Sequence, residues 1–472
     1  MEGLRSKNAS DLRSHHLNKA VPLHIPGYRE TAAATTNVDF HLAPEDVLRQ
    51  MVIISSGFNK FHLAVAAAEA ERRGLLSCFI TGAYPTPRVS SLTEFARLNR
   101  SGRVRRFLNR GEDIADFKVR PLWLSEVVYQ VAMTVRHIGR PRSFVADETL
   151  QDISFRLYGR LATKVIASSG RAEIYHYRAG FGHKSVVRAK QLGMITLCDH
   201  SIAHPATLNF LVTHGGALPP PGVQGPMNRM WRHILSDVDQ ADYVLVNSEF
   251  VRETFLHQGW NANRLRVIYW GADDAFLDAV PLRSRGQDGS STMRLLFAGG
   301  FELRKGAATV MAALKRCNDV NWTLEIAGTV DRDLPQRDDF LQDPRVTVAG
   351  WIPRVDLAKR MAAAEVLVFP SLAEGSARVV FEALAAGCYV ITTPNAGSIV
   401  EDRIHGRLVP PNDPDRLAAA LRDAAEDRRR VAEVGRRNAE LIRSKYRQCD
   451  YGDKLAAHYE ELLESKRLDK VA

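Results

Sequence analysis

The sequence predicts an α/β protein built from two doubly wound parallel-sheet domains that face each other across a central cleft. The 472 residues exceed what one hydrophobic core usually serves, which favours two domains. Short apolar runs alternate with helix-like stretches in both halves of the chain, as in parallel sheets covered by helices. Residues 281–292 (PLRSRGQDGSST) separate the halves and are polar and Gly- and Ser-bearing, so we predict a linker there.

The N-terminal half opens as a βαβ unit after a polar stretch. Residues 1–50 lack sustained apolar periodicity, and we expect a poorly ordered extension. Met51–Ser55 and Leu76–Thr81 are predicted strands, joined by a helix over residues 63–73. Further elements are predicted as strands at Ile174–Tyr177, Ile195–Cys198 and Tyr243–Val246, and as helices at Ser185–Gln191 and Glu249–His257. The order of elements between 82 and 166 is not predicted.

The C-terminal half repeats the alternation more clearly and ends in a helix. Strands are predicted at Arg294–Ala298, Trp322–Ala327, Val346–Ala349, Val366–Phe369 and Val390–Thr392. Helices are predicted at Ala307–Lys315, Ala377–Ala386 and Asp450–Leu463, the last of them amphipathic. Because ligands of open α/β sheets bind beyond the carboxyl ends of the strands, we expect a site where the two sheets face each other.

Composition limits the class of protein and its compartment. Hydrophobic residues make up 45% and charged residues 25% of the chain, as in globular proteins. The apolar runs are too short to span a bilayer, and the polar stretch Met1–Ala20 does not resemble a secretory signal. The five cysteines are scattered without a CxxC pair, which argues against a disulfide framework or a zinc site. We therefore expect a cytoplasmic protein.

A basic segment accounts for part of the net charge of +10. Arg97–Arg110 contains no acidic residue, and its arginines are Arg97, Arg100, Arg103, Arg105, Arg106 and Arg110. Three interpretations remain open: a solvated surface, a contact with anionic lipid headgroups or a polyanionic acceptor, and a nucleic-acid surface. We expect no nucleic-acid partner, because Phe107 is the only aromatic residue among these arginines and no nucleic-acid module surrounds it.

The segment Ser371–Gly387 (SLAEGSARVVFEALAAG) contains the most informative pattern for chemistry, two glutamates at Glu374 and Glu382. Gly375 permits close approach of the backbone to a ligand, and Ser376 is a suitable cap for the helix that follows. Free amides at a helix start attract negative charge, and carboxylates accept hydrogen bonds from sugar or ribose hydroxyls. Taken alone, the two glutamates also fit a charge in a first turn and a solvated helix face.

This segment resembles the signature of the retaining GT-B glycosyltransferases of family four, known as glycosyl transferases group 1. Other segments are similar to motifs of the same family: Leu295–Gly306 (LLFAGGFELRKG), Thr323–Gly328, Val346–Trp351, Val366–Ser371, Thr393–Asp413, Ala241–Ser248 and Val267–Asp273. The resemblance covers residues 51–465, densely in the C-terminal half and thinly in the N-terminal half. Many motifs in the right order and spacing make it specific.

The resemblance implies a division of the chain into functional parts. Residues 51–280 would form the acceptor-side domain and residues 293–445 the nucleotide-sugar donor domain. Residues 446–472 would form a C-terminal helix that crosses back to the N-terminal domain.

The resemblance also implies roles for particular residues. Glu382 would bind the ribose hydroxyls of the nucleotide, and Glu374 the hydroxyls of the transferred sugar. Lys305 would neutralise the diphosphate. Amides of Gly375, Ser376 and Ala377 would contact the sugar or the diphosphate.

Three further positions complete the implied site. Trp351 lies where the backbone of the family reads the base, and Gly57 would close over the phosphates. His200 resembles the acceptor-domain histidine that faces the donor sugar, although a histidine that ends a strand is as readily explained by a structural role. His62 and His183 are weaker candidates.

Two positions depart from the family pattern. The family usually has an arginine where this chain has Gly300, and we expect the neighbouring Arg304 to be the candidate that supplies the missing charge. Ala377-Arg378 replaces the usual Gly-Leu, so the donor sugar is not predicted, and Arg378 is suited to a charged one.

The implied reaction is sugar transfer from a UDP- or GDP-sugar to a glycan, lipid-linked or polysaccharide acceptor, with retention of anomeric configuration and no cofactor. Two Asp-x-Asp pairs raise the question of a metal site. Asp413-Pro414-Asp415 is better explained as a helix start and Asp331-Arg332-Asp333 as a solvated loop, so we expect no required metal. The alternative is a degenerate nucleotide-sugar-binding protein, or a membrane-associated scaffold without transferase activity.

Overall fold

The computed structural model describes residues 50–58, 62–87, 107–138, 144–170, 172–225, 227–281 and 291–471, together with positions 89, 91 and 104. Residues 1–49 of the predicted extension and residues 282–290 of the predicted linker lie outside the described residues. Most of the arginine-rich segment also lies outside them. Leu48–Ala472 forms one compact unit that contains two parallel sheets.

The N-terminal sheet has seven parallel strands in the order β3-β2-β1-β4-β5-β6-β7. Its strands are β1 Val52–Ser55, β2 Leu76–Thr81, β3 Val119–Pro121, β4 Ile174–Arg178, β5 Ile195–His200, β6 Tyr243–Val246 and β7 Leu265–Val267. Its helices are α1 His62–Arg72, α2 Trp123–Ile138, α3 Phe144–Ser168, α4 Lys184–Gln191, α5 Pro205–Thr213, α6 Arg229–Gln240, α7 Glu249–His257 and α8 Asp274–Ala279.

The C-terminal sheet has six parallel strands in the order β10-β9-β8-β11-β12-β13. Its strands are β8 Met293–Ala298, β9 Trp322–Ala327, β10 Val346–Val348, β11 Val366–Phe369, β12 Tyr389–Thr392 and β13 Gly406–Leu408. The helices are α9 Ala307–Arg316, α10 Arg337–Leu341, α11 Arg354–Ala363, α12 Arg378–Ala385, α13 Pro414–Glu426, α14 Arg428–Lys445 and α15 Gln448–Val471.

Burial explains why these apolar runs form central strands. Every residue of β1, β5, β11 and β12 is buried, as expected where helices cover both faces of a parallel sheet. Two separate apolar cores lie on the two faces of the N-terminal sheet, and a third surrounds the C-terminal sheet. The predicted fold class, two doubly wound parallel sheets, is therefore confirmed.

The last helix, α15, packs on the N-terminal sheet. Tyr451, Leu455 and Tyr459 are buried in the same core as Val52 and Ile174. The hydroxyl of Tyr459 forms a 2.7 Å hydrogen bond with Nδ1 of His176 on β4. The chain therefore passes between the two halves twice, once after α8 and again before α15.

Element limits differ from the predictions mostly by one or two residues. The helix that carries Glu382 is α12, which begins at Arg378, so Glu382 lies just over one turn from its start. Ala377 occupies the N-cap position, and no side chain caps this helix, so the predicted cap by Ser376 is wrong. The unpredicted region between 82 and 166 contains β3 and the two helices α2 and α3.

No helix in the described part of the chain is both long enough and apolar enough to cross a membrane.

Candidate functional site

The predicted donor residues meet because two neighbouring strands end at the same edge of the C-terminal sheet. β8 and β11 pair in parallel, and the loops that follow them carry Lys305 and Glu374 respectively. Parallel strands place their carboxyl ends together, so residues distant in the chain lie side by side at this edge.

Two cations converge on the Glu374 carboxylate. Arg304 Nη1 donates a 2.8 Å hydrogen bond to Glu374 Oε1, and Lys305 Nζ lies 3.9 Å from the same oxygen. Arg304 also donates to Glu302 Oε1 at 3.0 Å and to the Ala373 carbonyl at 2.8 Å. Arg304 therefore points toward the same carboxylate as Lys305.

The glycine turn after β8 leaves room for these cations. Gly299 has φ +108°, and a Cβ there would lie 3.1 Å from Lys305 Nζ, so the ammonium group packs against bare backbone. A Cβ at Gly300 would meet no atom closer than 3.7 Å, the nearest being Glu302 Oε2. A side chain at Gly299 would therefore be disfavoured both by the positive φ and by the nearby ammonium group. At Gly300 the neighbouring described atoms leave room for a Cβ.

Gly375 lies where the two halves of the protein touch. A Cβ at this position would lie 1.8 Å from the carbonyl oxygen of Ser201, which follows β5 of the N-terminal sheet. The Gly375 carbonyl accepts a 2.5 Å hydrogen bond from Ser248 Oγ at the start of α7. The close approach predicted for Gly375 is therefore made to the backbone of the N-terminal half.

The amides before α12 are only partly available to a ligand. The Ala377 amide donates to the Ala396 carbonyl at 2.9 Å, and the Glu374 amide donates to Asn395 at 2.9 Å. The Ala377 amide is therefore engaged within the C-terminal half, and its contact with a ligand stays a prediction. Within the described ranges, the amides of Gly375 and Ser376 donate no hydrogen bond, and the buried Ser376 hydroxyl oxygen has no partner.

Glu382 is almost completely buried and is held by an arginine that the sequence did not suggest. It is 5% exposed, and its Oε1 accepts a 2.6 Å hydrogen bond from Arg354 Nη2 on α11. Burial raises the pKa of Glu382, while the positive charges of Arg354 and Arg378 oppose that rise. Arg354 is a single charged residue at a helix start, and only the packing of α11 against α12 identifies its partner.

The two other predicted donor-side positions differ in accessibility. Trp351, in the loop before α11, is 80% exposed. Gly57 is buried, and a Cβ there would lie 2.6 Å from the Phe181 ring. The Gly57 amide donates to the Tyr158 hydroxyl at 3.2 Å, so it is engaged within the N-terminal half.

His200 ends β5 on the N-terminal side of the cleft. Its ring is 3% exposed and packs edge-on against Phe255 at a centroid distance of 5.2 Å. Burial lowers the pKa of His200 to about 4, so the ring is neutral at pH 7. Its Nε2 has no hydrogen-bond partner in the part of the chain that the structure describes.

A buried hydrogen-bonded pair, His62 and Asp199, lies next to His200, and the sequence indicated His62 only as a weaker candidate. His62 Nε2 lies 2.5 Å from Asp199 Oδ1, and the His62 ring centroid lies 4.1 Å from that of Trp270. Burial lowers the pKa of His62 although Asp199 opposes the effect, and the charges of Arg178 and Arg378 lower it further. Arg378 belongs to the C-terminal half, so it acts across the cleft.

A cavity of about 470 Å³ away from the predicted site is lined by Lys190, Asp242 and Lys466. It also contacts Ile195 and Tyr243, the first residues of β5 and β6. It therefore opens at the amino ends of the strands, opposite the edge that carries the predicted site.

The first aspartate of each Asp-x-Asp pair accepts a hydrogen bond from a backbone amide, one at a helix start and one in a turn. Asp413 caps α13 by accepting a 2.9 Å hydrogen bond from the Arg416 amide, with Pro414 at the first helical position. Asp331 accepts a 3.1 Å hydrogen bond from the amide of Asp333 in a turn. No group of three or more His, Cys, Asp or Glu in the described ranges is placed to hold a metal ion.

The arrangement of two facing parallel sheets defines the GT-B class of fold. A glycosyltransferase from Rickettsia africae has this fold with a TM-score of 0.56, 13% identity, and coverage of 88% of this chain and 99% of its own. Sucrose-phosphate synthase from Thermosynechococcus elongatus gives a TM-score of 0.59 at 18% identity, over 88% of this chain and 100% of its own. A protein from Anabaena in complex with UDP-glucose gives 0.53 at 15% identity, over 87% and 100%.

Residues 292–427 match the family model described as Glycosyl transferases group 1. The match lies in the C-terminal region that carries most of the motifs on which the predicted resemblance rests.

Two curated relatives match parts of the chain. A D-inositol 3-phosphate glycosyltransferase from Pseudarthrobacter chlorophenolicus is 30% identical over 183 residues, 36% of this chain and 43% of the relative. A phosphatidyl-myo-inositol mannosyltransferase from Mycolicibacterium smegmatis is 33% identical over 164 residues, 33% and 40% of the two chains. The chain thus matches less than half the length of each of these relatives.

Proposed function

We propose that this protein transfers a sugar from a UDP- or GDP-sugar to a glycan, lipid-linked or polysaccharide acceptor, with retention of configuration at the anomeric carbon. In this proposal the transfer needs neither a metal ion nor a bound cofactor. The match of residues 292–427 to the family model supports a glycosyltransferase, and the arrangement of side chains at the cleft supports the finer statement.

One observation carries the proposal: Arg304 and Lys305 converge on Glu374 beside the unpartnered hydroxyl of Ser376. A nucleoside-diphosphate sugar has two negative phosphates next to a ring with several hydroxyls. The cations suit the phosphates, and the carboxylate suits the hydroxyls. The unpartnered Ser376 hydroxyl supports a polar ligand, because buried polar groups are rarely left without a hydrogen bond.

The proposed reaction breaks the bond between the anomeric carbon and the diphosphate oxygen, and the bonding electrons leave with the nucleoside diphosphate. Lys305 and Arg304 stabilise the negative charge that develops on the departing diphosphate. The acceptor hydroxyl attacks the anomeric carbon from the same face. Its proton passes to an oxygen of the diphosphate, which completes the exchange.

The remaining residues orient the donor in this proposal. Glu382 accepts hydrogen bonds from the ribose hydroxyls, and the exposed Trp351 loop contacts the base. His200 faces the transferred sugar as a neutral ring, because its lowered pKa of about 4 removes the positive charge at pH 7.

Proteins of similar fold and sequence support the donor and acceptor classes. Structures of the Anabaena protein contain UDP or UDP-glucose, ligands of the class proposed here. The curated relatives are named for inositol phosphate and phosphatidyl-inositol acceptors, which supports a polar or lipid-linked acceptor.

The proposal includes a cytoplasmic location with peripheral contact to the inner face of the membrane. The described cysteines, Cys78, Cys198, Cys317, Cys388 and Cys449, are all free thiols, which suits a reducing compartment. Arg97–Arg110 provides positive charge for anionic lipid headgroups.

The experiment that tests the proposed function is an assay for nucleoside-diphosphate release from a panel of UDP- and GDP-sugars, with and without lipid-linked acceptors and with EDTA present. We expect release to be fastest with one sugar nucleotide and to accelerate with an acceptor. Proton NMR of the product should give the same anomeric configuration as the donor. Inversion, or activity that EDTA abolishes and Mn²⁺ restores, contradicts the mechanism. Donor binding without any turnover favours the degenerate binding protein.

A further inference from the structure

Glu382 has an unusual combination of burial and charge. It is 5% exposed, and burial raises its pKa, because a low-dielectric surrounding disfavours the ionised form. A carboxylate in this position needs a cationic partner to remain charged at neutral pH. Arg354, at the first position of α11, makes that contact at 2.6 Å.

The guanidinium of Arg354 is fixed on three sides. One nitrogen, Nη2, donates to Glu382 Oε1, and the other, Nη1, forms an ion pair with Asp273 Oδ2. The Arg354 guanidinium carbon lies 5.6 Å from the centre of the Phe276 ring. A planar cation held by two carboxylates and an aromatic ring has little freedom to rotate, so its contact with Glu382 is directional.

Asp273 is itself held at the point where the chain passes between the two halves. Its Oδ1 accepts a 2.9 Å hydrogen bond from the Phe276 amide and so caps α8. The adjacent Ala272 pairs with Arg447, the residue just before α15. Arg354 is therefore paired with a carboxylate that is itself held by a helix cap beside the start of α15.

The contact leaves one oxygen of Glu382 for a ligand. Arg354 bonds Oε1, and no side chain in the described ranges forms a hydrogen bond with Oε2. The proposed function assigns that carboxylate to the ribose of the donor.

We infer that Arg354 is a positioning residue for donor recognition: it holds the Glu382 carboxylate in the orientation that accepts the ribose hydroxyls. This inference rests on the proposed function, since it requires Glu382 to bind ribose. Arg354 contacts the carboxylate, and the carboxylate contacts the ligand.

A consequence for pH dependence follows from the groups that face Glu382. These are Arg354 from α11, Arg378 from α12 and Asp273 from the segment before α8, and only Asp273 favours protonation of Glu382. Removal of Arg354 takes away the largest opposing charge, so the pKa of Glu382 rises further. Ribose binding needs the ionised carboxylate, so a variant without Arg354 should bind the nucleotide better as pH increases.

The test compares UDP and GDP with their 2′-deoxy forms by isothermal titration of Arg354→Gln. Arg360 on the same helix pairs with Glu325, outside the site, so Arg360→Gln is the matched control. We expect Arg354→Gln to weaken binding of the preferred ribonucleotide on the order of tenfold at pH 6.5. We also expect it to lose most of the preference for ribo- over deoxyribonucleotide, and to recover part of its affinity at pH 8.5.

The outcomes separate failure of the inference from failure of the proposed function. If Glu382→Ala loses the ribose preference but Arg354→Gln behaves like Arg360→Gln, Arg354 does not position Glu382. If Glu382→Ala keeps the wild-type preference, or if the wild type binds neither nucleotide, the assignment of Glu382 to ribose fails, and the inference fails with it. Arg354→Lys keeps the charge without the planar fork, and it replaces Arg354→Gln if the latter melts well below the control.

Discussion

The two sheets present charged groups to the cleft in opposite ways. At the C-terminal sheet, the side chains of Lys305 and Glu374 are 21% and 18% exposed, so solvent or a ligand reaches them. At the N-terminal sheet, the side chains of His62 and Asp199 are only 4% and 5% exposed, and that of His176 is fully buried. The C-terminal edge offers accessible charge, whereas the N-terminal edge encloses it.

This difference has a physical consequence for the role of each half. Accessible cations attract and neutralise an anionic ligand, which is what binding of a diphosphate requires. Buried histidines with lowered pKa values stay neutral at pH 7 and contribute shape and hydrogen bonds instead of charge. We therefore expect mutations of the accessible charged side chains at the C-terminal edge to act mainly on donor chemistry, and mutations of the buried histidines at the N-terminal edge mainly on stability.

The largest effect is expected at Lys305. Replacing it with alanine removes the cation that lies over Gly299 beside Glu374, and we expect the rate of transfer to fall about a hundred- to a thousandfold. Lys359→Ala is the control, because Lys359 is an exposed lysine paired with Asp356 on α11. The measurement is kcat and KM for the preferred donor. Equal rates of transfer for the two variants would show that Lys305 at the C-terminal edge does not take part in the reaction.

A smaller effect, on folding and on the contact between the two halves, is expected from Gly375→Ala. The added Cβ would lie 1.8 Å from the Ser201 carbonyl, and backbone cannot yield as a flexible side chain does. We expect a loss of about 2 kcal/mol or more in the free energy of unfolding, measured by denaturant titration. Gly300→Ala, whose Cβ meets nothing closer than 3.7 Å, should unfold close to the wild type. Similar losses in both variants would argue against a tight contact at Gly375.

Acid should destabilise the N-terminal edge. The pKa values of His176 and His200 are each lowered to about 4 by burial. A lowered folded-state pKa contributes stability above the unfolded value near 6.5 that is lost as pH falls toward 4. Each histidine should lower the free energy of unfolding by about 2 kcal/mol between pH 7 and pH 5.

The check for this acid effect is the free energy of unfolding of the wild type and His200→Asn at pH 7 and pH 5. His200→Asn should lose about 2 kcal/mol less than the wild type on acidification. Glu382 acts in the opposite direction, because its raised pKa favours the folded state as pH falls. Identical pH dependence in the two proteins would mean that His200 is not buried as described.

The smallest effect is expected where the last helix meets the N-terminal sheet. Tyr459→Phe removes the hydroxyl that bonds His176, and we expect a loss of about 1 kcal/mol in the free energy of unfolding. Arg436→Ala breaks an exposed ion pair with Glu440 and serves as the control, with an expected change below about 0.5 kcal/mol. Thermal melts of both variants would show whether the C-terminal helix contributes to the N-terminal core.

The sequence predicted the fold because its central strands are continuous apolar runs, and such runs have few alternatives to a covered parallel sheet. It also singled out Glu374 and Glu382, because they lie in one segment with a recognisable spacing, and their roles in donor binding stay predictions. Arg354 was missed, since its partner Glu382 is on another helix and no local pattern connects the two. The hydrogen bond of the Ala377 amide was also missed, because its acceptor, Ala396, comes from a later loop. The spacing of residues along the sequence does not indicate contacts between segments that are far apart in the chain.

The central claim is that the C-terminal edge binds a nucleoside-diphosphate sugar through Glu382. The most direct test is thermal stabilisation of the wild type and Glu382→Ala by UDP-, GDP-, ADP- and CMP-sugars without added metal, because a ligand that binds only the folded protein raises its melting temperature. We predict that one nucleotide class stabilises the wild type and leaves Glu382→Ala unchanged. Equal stabilisation of both proteins, or no stabilisation of the folded wild type by any of the four classes, would contradict the account.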